Sequence, residues 1–316
     1  MHQGTGRGGE TRCRDVEPHG ARRDRERPPA PEPLPHPVVD NHCHLDIVRD
    51  DTSDAVGPGG APGGTGAATS TERIADALAT AAGVGVDRVV QIGCELESAQ
   101  FTVAEVDRHP GMLGGVAIHP NEAATLGARG ELADALAEIE RLVDHPRVRV
   151  VGETGLDYFR TGEDGRAAQI ESFRWHIDLA KRTGLALQIH DRDAHDDVLR
   201  ILDEEGAPEK TVLHCFSGDM AMARECVERG YHLSFSGTVT FKSAHGLRDA
   251  LAVTPLENLL VETDAPYLTP TPWRGSTNSP YLVPLTVRAM ASTLSTDVTA
   301  LCRALSDNAE RLYGPW

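Results

Sequence analysis

Val38-Val39-Asp40-Asn41-His42-Cys43-His44-Leu45-Asp46 is a short apolar run that passes directly into alternating ionisable residues. Apolar, β-branched residues suit a strand buried on both faces, and the polar residues that follow suit a strand end that reaches a site. The two-residue period of a strand places Asp40, His42, His44 and Asp46 on one face. Two imidazoles then converge, as a metal site requires.

Outward from this stretch, the alternation of apolar run and amphipathic segment recurs eight times. The further strand candidates are Arg88 to Gly93, Leu113 to Ile118, Val148 to Glu153, Leu185 to His190, Thr211 to Phe216, His232 to Ser236 and Leu259 to Thr263. Between them, Glu131 to Val143 places Leu132, Leu136, Ile139 and Leu142 along one helical face, and Ile170 to Lys181 and Val198 to Leu202 show comparable spacing. Gly184, Gly206 and Gly230 follow helical stretches, where the first residue beyond a helix often turns left-handed. Eight βα units predict an α/β chain closed into a parallel (β/α)8, or TIM, barrel; a doubly wound open sheet is the competing arrangement. The segment from Ser279 to Tyr313 then supplies C-terminal helices on the outside.

A length of 316 residues accommodates one such barrel of about 250 residues with additions. Residues 1–36 hold seven Arg and six acidic residues with almost no aliphatics, and the stretch from Pro28 to Pro37 is proline-rich. That composition buries too little apolar surface to offset chain entropy, so it reads as a disordered tail ending in a stiff spacer, with the barrel occupying 37–316. A second biased stretch, 51–66, has six Gly and two Pro and reads as a flexible loop.

Hydrophobic residues at 40% and charged residues at 25% are an ordinary globular balance. No window approaches the ~18 uninterrupted apolar residues of a membrane span, and Arg22-Arg23 is not followed by the apolar segment of an export signal. The six cysteines form no CxxC pair, which argues for reduced thiols rather than a zinc ribbon or a disulfide framework. The expectation is a cytoplasmic protein with no membrane association and no obligate protein partner. A net charge of −17 argues against a broad electrostatic grip on duplex DNA.

In a barrel, reactive residues emerge where strands end. The fourth candidate strand ends in Gly152-Glu153-Thr154-Gly155-Leu156-Asp157, the fifth in His190-Asp191-Arg192, the sixth in His214-Cys215-Phe216 and the eighth in Glu262-Thr263-Asp264. Four imidazoles (His42, His44, His190, His214) and two carboxylates (Glu153, Asp264) exceed what one catalytic cation uses. They suit two divalent ions with Glu153 as the bridge. Such a pair activates water for hydrolysis, most naturally of a phosphoester. Nitrogen and oxygen donors without thiolate leave Zn²⁺, Mn²⁺, Co²⁺ and Fe²⁺ open. Cys43 and Cys215 alternate away from this face and read as packing residues. His119, beside Pro120, is either a loop residue or part of the mouth. There is no GxSxG elbow, P-loop or HExxH helix, and no dinucleotide fingerprint follows a strand.

At these residues the chain resembles the TatD family of metal-dependent deoxyribonucleases, a branch of the amidohydrolase-like TIM barrels, from about Val38 to Trp316. The resemblance is carried by DNHCHLD (Asp40 to Asp46), GETGLDY (Gly152 to Tyr158), QIHDRDA (Gln188 to Ala194), HCFSG (His214 to Gly218), SFSGTVTFK (Ser234 to Lys242), ETDAPYL (Glu262 to Leu268) and PWRGSTNSP (Pro272 to Pro280). It implies metal ligands at His42, His44, Glu153, His190, His214 and Asp264, the six that strand placement also selects. It further implies hydrolysis of DNA from the 3′ end of single strands, supported by Mg²⁺ or Mn²⁺. On that reading Asp264 orients or deprotonates the attacking water, with Glu153 the other catalytic carboxylate. Arg192 and Arg274 are candidates for phosphate oxygens, and Tyr158, Phe216 and Trp273 for stacking on a base, with packing the simpler role for Phe216. The 51–66 insertion and the 1–36 tail depart from the family pattern.

The same donors would serve an amidohydrolase or esterase, including one that deacylates aminoacyl-tRNA, since activated water attacks carbonyl carbon as well as phosphorus. A non-catalytic metal-binding scaffold whose tail recruits a partner is a third reading, disfavoured by the complete ligand set.

Overall fold

The computed structural model describes residues 27–47 and 70–316. Eight strands, β1 (Val38–Cys43), β2 (Val86–Gly93), β3 (Met112–Val116), β4 (Val148–Asp157), β5 (Ala186–Arg192), β6 (Thr211–Leu213), β7 (His232–Phe235) and β8 (Leu259–Val261), pair in chain order, all parallel. The last meets the first through a backbone bridge, Cys43 to Ala265. The Asp264 N–H donates to the His42 carbonyl and the His44 N–H to that of Ala265, both at 2.9 Å. The result is a nearly closed TIM barrel, not the doubly wound sheet.

Helices α1 (Ser70–Ala82), α2 (Leu96–Val106), α3 (Pro120–Arg129), α4 (Leu132–Leu142), α5 (Glu163–Thr183), α6 (His195–Glu205), α7 (Met220–Glu228) and α8 (His245–Val253) lie between the strands; α9 (Val283–Leu294) and α10 (Val298–Tyr313) follow β8. α4 buries Leu132, Leu136 and Ile139, the face its spacing predicts. Gly184, Gly206 and Gly230 all have positive φ. Ala309, Leu312 and Tyr313 of α10 pack with Val39, Val90, Leu113, Val150, Val212 and Leu260 from the strands. The C-terminal helix is therefore part of the barrel's core packing rather than a purely outer layer. Among the described residues no helix is long and apolar enough to cross a membrane.

Three features differ from the sequence expectation. Residues 27–36 are docked rather than a free spacer: Leu34 and Pro28 are buried, the Leu34 N–H donates to the Val84 carbonyl at 3.0 Å, and the Tyr281 hydroxyl donates to the Pro28 carbonyl at 2.7 Å. Prolines retain carbonyl acceptors, and a chain with little freedom to lose docks at low entropic cost. Second, β4 runs on to Asp157 and β5 to Arg192, pairing Gly155 with His190 and Asp157 with Arg192, so Glu153 and His190 lie within strands, not at their ends. A Cβ on Gly155, at φ 135°, would collide with the His190 carbonyl, and glycine alone permits this approach. Third, β6 stops at Leu213 and Cys215 turns left-handed at φ 42°, so strand alternation does not govern where Cys215 points. The 51–66 stretch, residues 1–26 and Cys13 lie outside the described residues; the five described cysteines are free thiols.

Candidate metal centre

The order of β1 breaks between Asp40 and Cys43, where its register against β2 shifts. Of the four ionisable residues at and beyond its end, Asp40 and Asp46 are engaged by other partners. Asp40 accepts from the Thr263 N–H (2.8 Å) and hydroxyl (2.5 Å), lacing β1 to the chain beyond β8, and burial pushes its carboxyl up to about 7. Asp46 sits in the short 3-10 turn Leu45–Ile47 and accepts from the Gln91 side-chain amide at 2.8 Å. Only His42 and His44 reach the centre, with their Nε2 atoms 3.1 Å apart. Each ring is held from behind, His42 Nδ1 by Gln188 Oε1 at 2.7 Å and His44 Nδ1 by the Ile92 carbonyl at 2.9 Å. An oxygen that only accepts must face an N–H, so each Nε2 carries a lone pair into the centre.

Glu153, from the irregular part of β4, stands among the imidazoles. Its Oε2 lies 3.6 Å from His42 Nε2 and 3.8 Å from His44 Nε2. Its Oε1 lies 2.7 Å from His190 Nδ1 and 2.9 Å from His214 Nε2. Asp264, held left-handed at φ 54°, places Oδ1 3.3 Å from His44 Nε2 and 3.9 Å from His42 Nε2. A non-glycine residue in this conformation is mildly strained, and such strain concentrates at functional sites. All six expected ligands are thus brought together, four of them buried and His190 and Asp264 partly accessible.

Two ligands each about 2.1 Å from one ion at a tetrahedral angle lie about 3.4 Å apart, and the spacings around both Glu153 oxygens bracket that value. Glu262 Oε2 is buried here without a hydrogen-bond partner, and His190 Nε2 and His214 Nδ1 meet only carboxylate oxygens at 3.3 Å, without hydrogen-bond geometry. Buried polar atoms normally find partners, so this cluster fits a cation-binding centre. His42, His44 and Glu153 form one candidate triplet, His119, Glu153 and His190 a second, and His42, His214 and Glu262 a third.

Electrostatics follow from the arrangement. Burial and the neighbouring His214 lower the His42 pKa. For His214 burial also opposes the charge, but Glu153 and Glu262 outweigh it and raise the pKa well above the usual imidazole range. His190 is raised as well, burial being overcome by Asp157 and Glu153. Against the desolvation of their own charges, the histidines hold Glu153 and Asp264 below the usual carboxylate range.

Three residues that touch the cluster, and one exposed residue outside it, escaped the sequence reading. Gln188 supports His42. Glu262 accepts the Cys215 N–H at 2.7 Å and lies 3.3 Å from His214 Nδ1. Asp157 places Oδ2 3.3 Å from His190 Nε2. Phe159 is the most exposed large apolar side chain described, at 61%. Glu262 and Asp157 were visible as carboxylates near the expected ligands, whereas nothing in one sequence marks a strand glutamine or a loop phenylalanine.

His119 stands 3.5 Å from Glu153 Oε1 with its ring edge-on to His190. Its Nδ1 accepts the Asn121 N–H at the start of α3, so the neutral ring carries its proton on Nε2 and presents a donor, not a lone pair. The substrate-binding candidates lie elsewhere. Tyr158 is not part of the cluster: its hydroxyl donates to Asp197 at 2.7 Å, and Arg166 covers its ring at 4.2 Å. Arg192 lies over the Phe159 ring and Arg274 over Phe241, both at 4.0 Å. Phe216 is buried against Phe235, a packing role.

An eight-stranded parallel barrel with histidines and carboxylates converging from β1, β4, β5 and the turns after β6 and β8 defines a metal-dependent hydrolase. The comparisons with known proteins agree on the class and specify it. The chain belongs to the TatD family, whose profile, described as "TatD related DNase", matches residues 39–314. It is 46% identical over 283 residues to the uncharacterized metal-dependent hydrolase TatD of Mycobacterium tuberculosis, covering 88% of this chain and 98% of that one. It is 34% identical over 277 residues to the uncharacterized metal-dependent hydrolase YcfH of Escherichia coli, covering 87% and 95%. The crystal structure of YjjV, a TatD homologue from Escherichia coli, superposes with a TM-score of 0.74 at 25% identity, covering 87% of this chain and 97% of that one.

Proposed function

We propose that the protein is a two-metal phosphodiesterase that shortens single-stranded DNA from its 3′ end. One observation carries the reading: the Glu153 carboxylate turns Oε2 to His42 and His44 and Oε1 to His190 and His214, the posture of a carboxylate shared by two cations. The family description as a DNase supports phosphorus over carbon as the electrophile.

Those six residues would hold two divalent cations, which would supply Lewis acidity toward a phosphate oxygen and acidify water. The chain's own groups do the rest. Asp264 is held ionised by the neighbouring imidazoles and is partly open to solvent, so its carboxylate is placed to orient the attacking water and take its proton. The His119 Nε2–H is a fixed donor for a phosphate oxygen. Arg192 stacked on Phe159 combines a cation with an exposed aromatic face, which suits a phosphate and its neighbouring base. A net charge of −17 favours gripping one strand end locally over sliding along a duplex.

The test is degradation of a 5′-labelled single-stranded oligonucleotide with Mg²⁺ or Mn²⁺ and with EDTA, wild type against Asp264→Asn. A cation-dependent ladder shortening from the 3′ end, lost in the variant, is the expected result. No cleavage by folded, cation-loaded protein that hydrolyses aminoacyl-tRNA instead would overturn it.

A further inference from the structure

We infer that Gln188 is a positioning residue that holds His42 in the Nδ1–H tautomer, and that Tyr313, the last residue of the C-terminal helix, locks the Gln188 amide in the orientation this requires. The inference rests on the reading of His42 as a metal ligand.

The orientation of the Gln188 amide follows from its neighbours. One end lies 3.0 Å from the backbone carbonyl of Asn41, which only accepts, so that end is the NH₂ group. The same nitrogen donates to the Tyr313 hydroxyl oxygen at 3.0 Å and lies 3.3 Å from Asn41 Oδ1. The Tyr313 hydroxyl in turn donates to Asn41 Oδ1, and Asn41 Nδ2 donates to the Ser234 hydroxyl at 3.1 Å. Rotating the Gln188 amide by half a turn would set oxygen against the Asn41 carbonyl and leave the Tyr313 oxygen without its donor. With the nitrogen so placed, Oε1 faces His42 Nδ1 at 2.7 Å and can only accept from it.

Asn41, His42, Gln188 and Tyr313 are all fully or almost fully buried, so water offers none of them an alternative partner. The two supports of the β1 histidines therefore differ in kind. His44 leans on a backbone carbonyl, which any sequence would supply. His42 leans on a side chain, and its tautomer depends on what occupies position 188. In the other tautomer His42 would aim an N–H at the centre and could not ligate. Tyr313 brings the dependence to the far end of the chain: the helix that closes the barrel also steadies the support of a ligand on its first strand.

The test uses the full-length protein. Long-range ¹H–¹⁵N correlation of the imidazoles in metal-free, ¹⁵N-labelled protein reads the His42 tautomer directly, and Co²⁺ titration followed by absorption and calorimetry reads affinity. Wild type is expected to show His42 as Nδ1–H. Gln188→Met, close in shape but without the acceptor, is expected to populate Nε2–H and bind Co²⁺ about 10- to 100-fold more weakly. Tyr313→Phe, with circular dichroism unchanged, is expected to weaken binding about fivefold, the worth of one hydrogen bond. A wild-type Nε2–H tautomer overturns the inference, whether or not Gln188→Met folds. So does a folded Gln188→Met with its tautomer unchanged, or with affinity within twofold of wild type. Wild type that holds Nδ1–H yet binds no Co²⁺ overturns instead the metal reading beneath it, and the two failures are thereby told apart.

Discussion

Glu153 Oε1 lies 2.9 Å from Nε2 of His214, while the other oxygen of the same carboxylate faces His42 and His44. One side chain from β4 thus joins candidate ligands from β1, β5 and the turn after β6 into a single cluster. On the proposed two-cation reading, removing it should disable both positions at once. Glu153→Ala is expected to stay folded and to lose at least about 100-fold in cation affinity, with turnover falling in step. Calorimetry with Mn²⁺ checks this, and wild-type affinity in the variant would show that Glu153 does not bridge.

Cation binding should release protons. His190 and His214 are held protonated above the usual imidazole value of 6.5 by Glu153, Asp157 and Glu262. In metal-free protein that stabilisation is complete below 6.5 and disappears as pH rises through the raised values. Cations compete for the same atoms, so apparent affinity should climb with pH until the raised values are passed and level off above them. Titrations in buffers of different ionisation enthalpy count the released protons; a count of zero at pH 7 would contradict the assigned protonation.

Phe159→Ala should raise KM for a single-stranded oligonucleotide about tenfold and leave kcat within twofold, since stacking is worth about 1–3 kcal/mol per base. Steady-state kinetics decide it, and an unchanged KM would remove Phe159 from the substrate path.

Tyr158→Phe should behave differently, because its hydroxyl is already given to Asp197. The expected cost is about 1 kcal/mol of stability with KM unchanged. Thermal denaturation alongside the same kinetics distinguishes this from a substrate contact.

His119→Phe keeps a ring of similar breadth but removes the donor on Nε2 and the acceptor for the Asn121 N–H. Turnover should fall about 10²-fold, the usual loss when a fixed transition-state donor is removed, with cation affinity nearly unchanged. A large loss of Mn²⁺ affinity would make His119 a ligand instead.

Much of this was legible in residue order. Apolar runs at Val38, Val148 and Leu259 mark strands because burial on both faces leaves no room for polar alternation. His42, His44, Glu153, His190, His214 and Asp264 stand out because a barrel gathers one end of every strand at one face. Asp40 and Asp46 share the period of His42 and His44 but are engaged by Thr263 and Gln91, contacts between distant residues that one strand alone does not reveal. The docked segment 27–36 was misread because its anchors, Val84 and Tyr281, lie far along the chain.

Local sequence was enough for the existence and order of the eight strands and for the helix ends at Gly184, Gly206 and Gly230, since backbone propensity and burial act over a few residues, and it named six candidate ligands that the barrel brings together. Which way each ligand faces was decided only in the folded barrel. The His42 tautomer depends on Gln188, Gln188 on Asn41 and Tyr313, and these contacts join β1, β5 and α10. Hydrogen bonds between residues so distant in the chain have no periodicity to betray them, because they exist only once closure of the barrel has excluded water from its interior.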